Sequence, residues 1–348
     1  MSNDAKSPSR SQESISGHRK SGSSPFNLLK RSVRNIFVQF GVLPFVLVAI
    51  LIIFGIWESS FLSSGNIFNA SRASTYLVMV TIAQMICLLC AGLDLSVGGS
   101  ITLISILCSK TLVESSAYGP WGIILGILVG ICVGTAVGAL NGFCTAVFRI
   151  SPFIVTLGTM TITQGITLIL TRGGNPILGL PKDFVNILGV GRLWGLPVPV
   201  VVTIMLIGLM YLILNWTRFG RYIYALGGNR EAAILMGIPG TLYTFLAYTV
   251  AGAITGLAGV MLTARVGSGE ATLGLEMPLL SISAAVLGGV SLFGGEGKLY
   301  AAVLGAVTII LLRNGMDVVN ISSFVQMVAM GWILIAVIAA DAYRRDMV

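Results

Sequence analysis

Charge and histidine are what this chain has least of. Of its 348 residues only 10% are charged and one is a histidine, His18, whereas an ordinary soluble domain carries roughly 25% charged residues. The single histidine excludes Ser-His-Asp and Cys-His catalysis and any histidine-based zinc site, and the 13 acids are scattered along the chain, not clustered as a catalytic site would need. Five cysteines, Cys87, Cys90, Cys108, Cys132 and Cys144, all fall within apolar runs. Cys87 and Cys90 make one CxxC with no second pair and no nearby histidine, which reads as small apolar packing residues and no metal site. A phosphate loop is also missing. GGEGKLY at 294–300 has Leu299 where Ser or Thr would hold magnesium, and Leu292 stands where the motif needs its first glycine. Nucleotide-driven work would therefore have to come from another subunit.

Apolar sequence is abundant: 55% of residues are hydrophobic and the mean hydropathy is +0.93. A helix crosses the hydrocarbon core with about 20 mostly apolar residues, because nothing there but the helix itself satisfies the backbone. Runs of that kind occupy 40–57, 75–92, 121–147, 154–171, 198–216, 241–264 and 323–340, and shorter or glycine-broken ones lie at 98–113, 277–293 and 299–313. The expected fold is all-α and polytopic, with about ten transmembrane helices, some short or broken. Placing the N-terminus inside puts 14 of the 21 Lys and Arg on the cytoplasmic side and 7 outside, so both termini are expected to be cytoplasmic.

Residues 1–39 hold seven basic residues against Asp4 and Glu13, which is +5 of the net +8. Rich in Ser, Gly and Pro, this segment is expected to be a disordered basic tail that touches anionic lipid headgroups and binds no nucleic acid. The domain plan is then a tail at 1–39, a transmembrane domain at 40–340 with a cytoplasmic loop at 217–240, and a short cytoplasmic tail at 341–348. No cleavable signal peptide is expected, because the first apolar run is of span length.

Four features carry the functional reading. Gly122, Gly126, Gly130, Gly134, Gly138 and Gly142 recur at every fourth position. Each step of four advances the helix face by about 40°, so the row spirals and its successive parts should pack on different neighbours as scaffold. Thr156, Thr159, Thr163, Thr167 and Thr171, with Gln164, form a polar stripe on the next span. The stripe reads either as a face of a translocation path or as hydroxyls bonded to their own helix and gluing neighbours. Loop 217–240 suggests a turn at Gly227, Gly228 and Asn229 followed by a short helix, Glu231 to Met236, stopped by Gly237 and Pro239. With Ala232, Ala233, Ile234 and Leu235 it would need a partner, the membrane or the protein's own surface to cover it. Finally, AGLDLSVGGS at 91–100 places Asp94 among small residues between apolar runs. Asp94 or Ser96 could cap the following helix near the cytoplasmic interface, or Asp94 could sit at a break inside the membrane and line or fix a gate.

These same segments carry a resemblance. EAAILMG, Glu231 to Gly237, resembles the EAA-x-x-x-G signature of permeases that couple to an ATP-binding subunit, and GRYIYALGGNREAAILMGI around it is similar to the monosaccharide branch of ABC importers. GLDLSVG at 92–98, NG and SPFIVTLGTM at 141–160, AGAITGLAG at 251–259 and LGGVSLFGGEG at 287–297 resemble further signatures of the ribose, xylose and galactose permeases. Ala91 and Ala301 stand where that family usually has glycine.

The resemblance implies a membrane-spanning permease in the bacterial inner membrane, paired with a second copy or a paralogue. ATP-binding subunits inside would carry ATP and magnesium, and a periplasmic protein outside would deliver the sugar, so this chain would hold no cofactor or metal and be no enzyme itself. Coupling would fall to Arg221, Gly227, Gly228, Asn229, Glu231, Ala232, Ala233 and Gly237, and the pathway or gate to Asp94, Ser96, Thr156, Thr159, Thr163 and Gln164. The glycine-broken LGGVSLFGGEG hints at a second helix break matching the one at Asp94. Two rivals stand beside this reading: an ion-coupled secondary transporter of a small polar solute using Asp94, and a membrane enzyme acting on lipid.

Overall fold

The computed structural model describes residues 43–346; the basic tail expected at 1–39 lies outside them. The described residues are mostly helical. In order, the helices are α1 (Leu43–Trp57), α2 (Ser64–Leu89), α3 (Val97–Glu114), α4 (Pro120–Val147), α5 (Pro152–Leu170), α6 (Val198–Trp216), α7 (Arg218–Gly228), α8 (Arg230–Leu235), α9 (Gly240–Val266), α10 (Met277–Leu287), α11 (Leu299–Val318) and α12 (Ser323–Asp346). A two-stranded antiparallel ribbon, β1 (Arg192–Leu193) and β2 (Leu196–Pro197), leads into α6. Among the described residues, seven helices, α2 to α6, α9 and α11, are long and apolar enough to cross a membrane, and α1, α10 and part of α12 are shorter apolar helices. This is a polytopic membrane protein.

Three helices differ from what their apolar runs suggest. The run at 75–92 becomes α2, which starts eleven residues earlier at Ser64, where Ser63 caps it by accepting from Asn66 N at 3.3 Å. The weak run at 98–113 is a full 18-residue helix, because its Gly98, Gly99 and Ser100 are close-packing positions and do not break the helix. The run at 277–293 ends early: α10 stops at Leu287 and an irregular turn follows to Lys298.

The centre of the bundle is α2, in which every residue from Ser74 to Leu89 is buried. A central helix is enclosed on all sides, which explains why its sequence shows no polar face. It packs on α6, α9, α10 and α11. Helix α9 stands between α2 and α3, running antiparallel to α2 and parallel to α3: Arg265 lies over the Tyr76 ring at 5.5 Å, Tyr248 bonds to the turn after α2, and Gly259 abuts Ile104.

The spiral of glycines on α4 does what its period predicts. Side-chain volume added at Gly126 would meet Leu112 of α3, at Gly130 both Ile104 of α3 and Val260 of α9, and from Gly134 onward the backbone of Gly252, Gly256, Tyr248 and Phe245 in α9. Glycine meets glycine at the α4–α9 crossing, so the two backbones touch where lipid offers no hydrophobic drive to hold helices together.

Candidate coupling and gate site

Helix α2 ends at Leu89 and α3 begins at Val97, so Cys90–Ser96 is a turn whose residues past Ala91 are half-buried or buried. It reverses the chain at the end of the bundle occupied by α7 and α8. Asp94 is 3% exposed. Its Oδ1 accepts from the Ser96 backbone N–H at 2.9 Å and from the Ser96 hydroxyl at 2.6 Å, an Asx turn that leads into α3. Ser96 caps no amide of α3 with its side chain; its hydroxyl is committed to Asp94 and accepts from Asn141 Nδ2 of α4 at 2.7 Å.

Three more helices hold the same turn. The Gln84 amide of α2 donates to the Asp94 carbonyl at 3.0 Å and accepts from the Asp94 N–H at 3.2 Å. Tyr248 Oη of α9 donates to the Leu93 carbonyl at 3.2 Å. Thr156 of α5 lies 3.4 Å from that carbonyl while donating to Pro152 O at 2.8 Å. A buried carboxylate costs several kcal/mol unless it is paired or hydrogen-bonded; here both Ser96 donors reach it, and α2, α4, α5 and α9 hold the turn that carries it.

The second break meets the first in space. In the turn 288–298, Gly294 (φ +98°), Gly295 (+74°) and Gly297 (+155°) occupy backbone regions that favour glycine. Gly295 N donates to Leu89 O at 3.1 Å. Gly227, in the last turn of α7, is pressed between them: a Cβ there would collide with Leu89 O and sit 2.5 Å from Gly295 N. Tyr224 of α7 adds a bond from its hydroxyl to Gly297 O at 2.7 Å. Burial pushes the Tyr224 phenol above its usual range, so it stays protonated and keeps donating. Three segments distant in sequence, 90–96, 294–297 and 224–228, are thus one interlocked unit. Ala91, at φ +57°, is the non-glycine residue of this unit with a positive φ.

The short helix of the loop is α8, and its start differs from expectation. Gly227 and Gly228 close α7 instead of forming a free turn, because Gly227 is needed for the close approach to Leu89. Asn229 is the N-cap, accepting from Ala232 N at 2.9 Å. Gly237 (φ +83°) ends α8 with Ile238 N donating to Ala233 O and Gly237 N to Ile234 O, a Schellman stop. Ala233 is buried, whereas Leu235 and Met236 are 88% and 85% exposed. Arg221, Glu231, Ala232 and Gly237 are also exposed. An apolar tip therefore projects from an anchored base. A cavity of about 350 Å³ beside the base is lined by Ala91, Arg149, Arg230 and Tyr248 among others.

The threonine stripe faces inward. Thr156, Thr159, Thr163 and Thr167 are buried on α5, and each hydroxyl, with that of Thr171, donates to the carbonyl four residues back at 2.8–2.9 Å. Thr163 packs against Gly99 of α3. Gln164 reaches further: its Oε1 accepts from Thr102 Oγ1 at 3.2 Å and its Nε2 donates to Ala271 O at 3.1 Å. Asp94, Ser96 and Thr156 come together around one turn, while Thr159, Thr163 and Gln164 lie along the α3–α5 seam above it. Sequence reasoning missed Gln84, Asn141, Tyr224 and Tyr248 as holders of the turn. Gln84 carried a signal, being the one side-chain amide in the apolar run 75–92. Among the described residues, no group of His, Cys, Asp or Glu is arranged to hold a metal ion.

Comparison with known proteins finds permease components of sugar transport systems. The ribose import permease protein RbsC of Bacillus subtilis (strain 168) is 39% identical over 300 residues, covering 86% of this chain and 91% of that protein. The D-allose transport system permease protein AlsC of Escherichia coli (strain K12) is 34% identical over 304 residues, 85% and 90% of the two chains. The L-arabinose transport system permease protein AraH of the same strain is 34% identical over 314 residues, 90% and 93%. No solved structure matches. These relatives are permease components of import systems and give the ion-coupled reading no support. Residues 33–338 match the family described as branched-chain amino acid transport system / permease component, and the chain belongs to that family as a membrane-spanning permease subunit of the ATP-binding-cassette import type.

Proposed function

We propose that the chain conducts a monosaccharide, an aldopentose or aldohexose, across the bacterial inner membrane, delivered by a periplasmic binding protein and driven by separate ATP-binding subunits that hold ATP and magnesium. The sugar class is supported by the ribose, allose and arabinose relatives. In this reading both termini and α7–α8 are cytoplasmic, the shorter helices α1, α10 and α12 join the seven long ones to make about ten spans, and a second copy or a paralogue completes the passage, with lipid around both.

The observation that carries the mechanism is the mechanical link from α8 to the interior. The exposed Leu235 and Met236 offer an apolar knob for a groove on the ATPase, and Arg221, Asn229, Glu231, Ala232, Ala233 and Gly237 shape and present it. Force applied there passes through Gly227 to Leu89 and Gly295, the ends of the two helix breaks. Asp94, Ser96 and Thr156 keep the turn 90–96 stiff, and Thr159, Thr163 and Gln164 keep α3 and α5 moving together, so closure of the ATPase pair reaches the gate as rotation of packed helices.

The test uses the chain reconstituted in proteoliposomes with the ATP-binding subunit and binding protein of its own system. Leu235→Arg with Met236→Arg, both at exposed positions, should leave the permease folded while ATPase capture and ATP-driven monosaccharide uptake fall by at least about tenfold, as loss of an interface hot spot does. Unchanged capture would overturn the docking role of α8. Uptake that follows an ion gradient without ATP would overturn the importer reading.

A further inference from the structure

Residues 267–276, between α9 and α10, run back into the bundle without forming a helix or strand. Their path can be followed against α3. Gly269 abuts Ser109 and pairs with Ile177 through two backbone bonds at 2.9 Å. Glu270 N donates to the Ser105 hydroxyl at 3.1 Å. Ala271 O accepts from Gln164, which also binds Thr102. Gly274 lies against Gly98 and Ile101. From Ser109 to Gly98 is eleven residues of helix, about 16 Å at 1.5 Å each. The segment thus descends past more than half the length of α3, a helix long and apolar enough to cross a membrane.

Irregular backbone at such depth is tolerated only where protein buries it or water wets it, since lipid can satisfy none of its N–H and C=O groups. Protein covers one side of this segment: Ser268, Gly269, Ala271 and Gly274 are buried. The other side, Thr272, Leu275 and Glu276, is exposed. There Glu276 forms an ion pair with Arg313 of α11 at 3.1 Å, the two side chains 52% and 31% exposed. An ion pair that accessible on a spanning helix is costly against hydrocarbon. It also borders a cavity of about 210 Å³ lined by Leu275, Ser283, Gln326 and Met330. Depth, irregular backbone and an open ion pair require water or a second protein on this face, and the cavity bordered by the pair favours water.

We infer that segment 267–276, with the Glu276–Arg313 pair at its end, lines a water-filled stretch of the solute passage, and that Thr272, Glu276 and Arg313 are the groups that meet the sugar's hydroxyls there. Each hydroxyl both donates and accepts, and a carboxylate beside a guanidinium offers both complements with charge-assisted bonds. Because the pair is hydrated, its hold is weak enough to release a solute that must move on. Gln164 acts from behind as a positioning residue, holding the segment by its Ala271 carbonyl. The sugar contact rests on the import reading above; the wet face does not.

Thiol labelling of the complete transporter in proteoliposomes separates the two. In a background where Cys132 and Cys144 are replaced by serine, Thr272→Cys and Leu275→Cys should react with a charged, membrane-impermeant methanethiosulfonate at least about tenfold faster than Leu209→Cys, an exposed apolar position in the middle of spanning helix α6, because thiolate forms only where water reaches. Equal, slow rates at all three positions would overturn the wet passage. Glu276→Gln should raise the sugar concentration for half-maximal ATP-driven uptake about fivefold or more, as weakening a hydrogen bond to a charged group does, with ATPase capture unchanged. Fast labelling with unaltered half-maximal uptake would overturn the sugar contact. Fast labelling in a chain that takes up no monosaccharide even unaltered would instead overturn the import reading and leave the wet passage standing.

Discussion

The side-chain amide of Asn141 donates to the Ser96 hydroxyl at 2.7 Å, and that hydroxyl donates in turn to the Asp94 carboxylate at 2.6 Å. Through this relay α4 is tied to the turn between α2 and α3. Asp94→Ala removes the acceptor of both Ser96 donors and should cost about 2–4 kcal/mol, one to two hydrogen bonds to a buried charge. Asp94→Asn retains an acceptor oxygen and should cost about half as much or less. Thermal unfolding of the detergent-solubilised permease measures the difference. Equal loss in both variants would show that the charge itself, and not the acceptor geometry, is what the site requires.

Two adjacent glycines should behave oppositely. Gly227 has Leu89 O and Gly295 N inside the volume a methyl group would fill, whereas nothing lies within 4 Å of a Cβ at Gly228. Gly227→Ala should destabilise by about 1–3 kcal/mol through overpacking and reduce uptake by displacing α7 from both helix breaks. Gly228→Ala, near the end of α7, should be neutral or slightly stabilising. Comparing the midpoints of the two variants checks this directly.

Ala91 sits at φ +57° at the surface of the turn, a conformation that costs a side chain about 1–2 kcal/mol. Ala91→Gly should therefore raise the unfolding midpoint, by an amount corresponding to about 1 kcal/mol once glycine's extra freedom in the unfolded chain is subtracted. A lowered midpoint would mean that the methyl group makes a contact worth more than the strain.

Thr163 donates to Thr159 O at 2.9 Å and packs on Gly99. Its hydroxyl faces another helix and bonds to its own, so Thr163→Val should change stability by less than about 1 kcal/mol and leave monosaccharide uptake within about twofold. A large rise in the sugar concentration needed for half-maximal uptake, without loss of folded protein, would return the threonine stripe to the solute path.

Much of the architecture is legible in the order of residues. Apolar run length announces a spanning helix because the bilayer leaves the backbone no alternative, and a glycine every fourth residue announces a spiralling contact because helical rotation per residue is constant. The Asn229 cap and the Gly237 stop of α8 are similarly local. The expected turn at Gly227–Gly228 does not form, because the reason for those glycines lies in other segments: Leu89 and Gly295 are far away in the chain.

What the sequence determined by itself is whatever depends on neighbours along the chain: membrane residence, most spans, the capped short helix in loop 217–240, and the residue types available for chemistry. The tertiary structure alone decided what those residues touch. It closed the threonine face inside a helix seam, joined two helix breaks and the loop into one unit, and opened Glu276 and Arg313 to a common cavity. The reason is physical. Helix formation is a short-range hydrogen-bonding problem that each segment solves alone, whereas holding the turn around Asp94, or residues 267–276, requires donors and acceptors brought together by the packing of several helices at once.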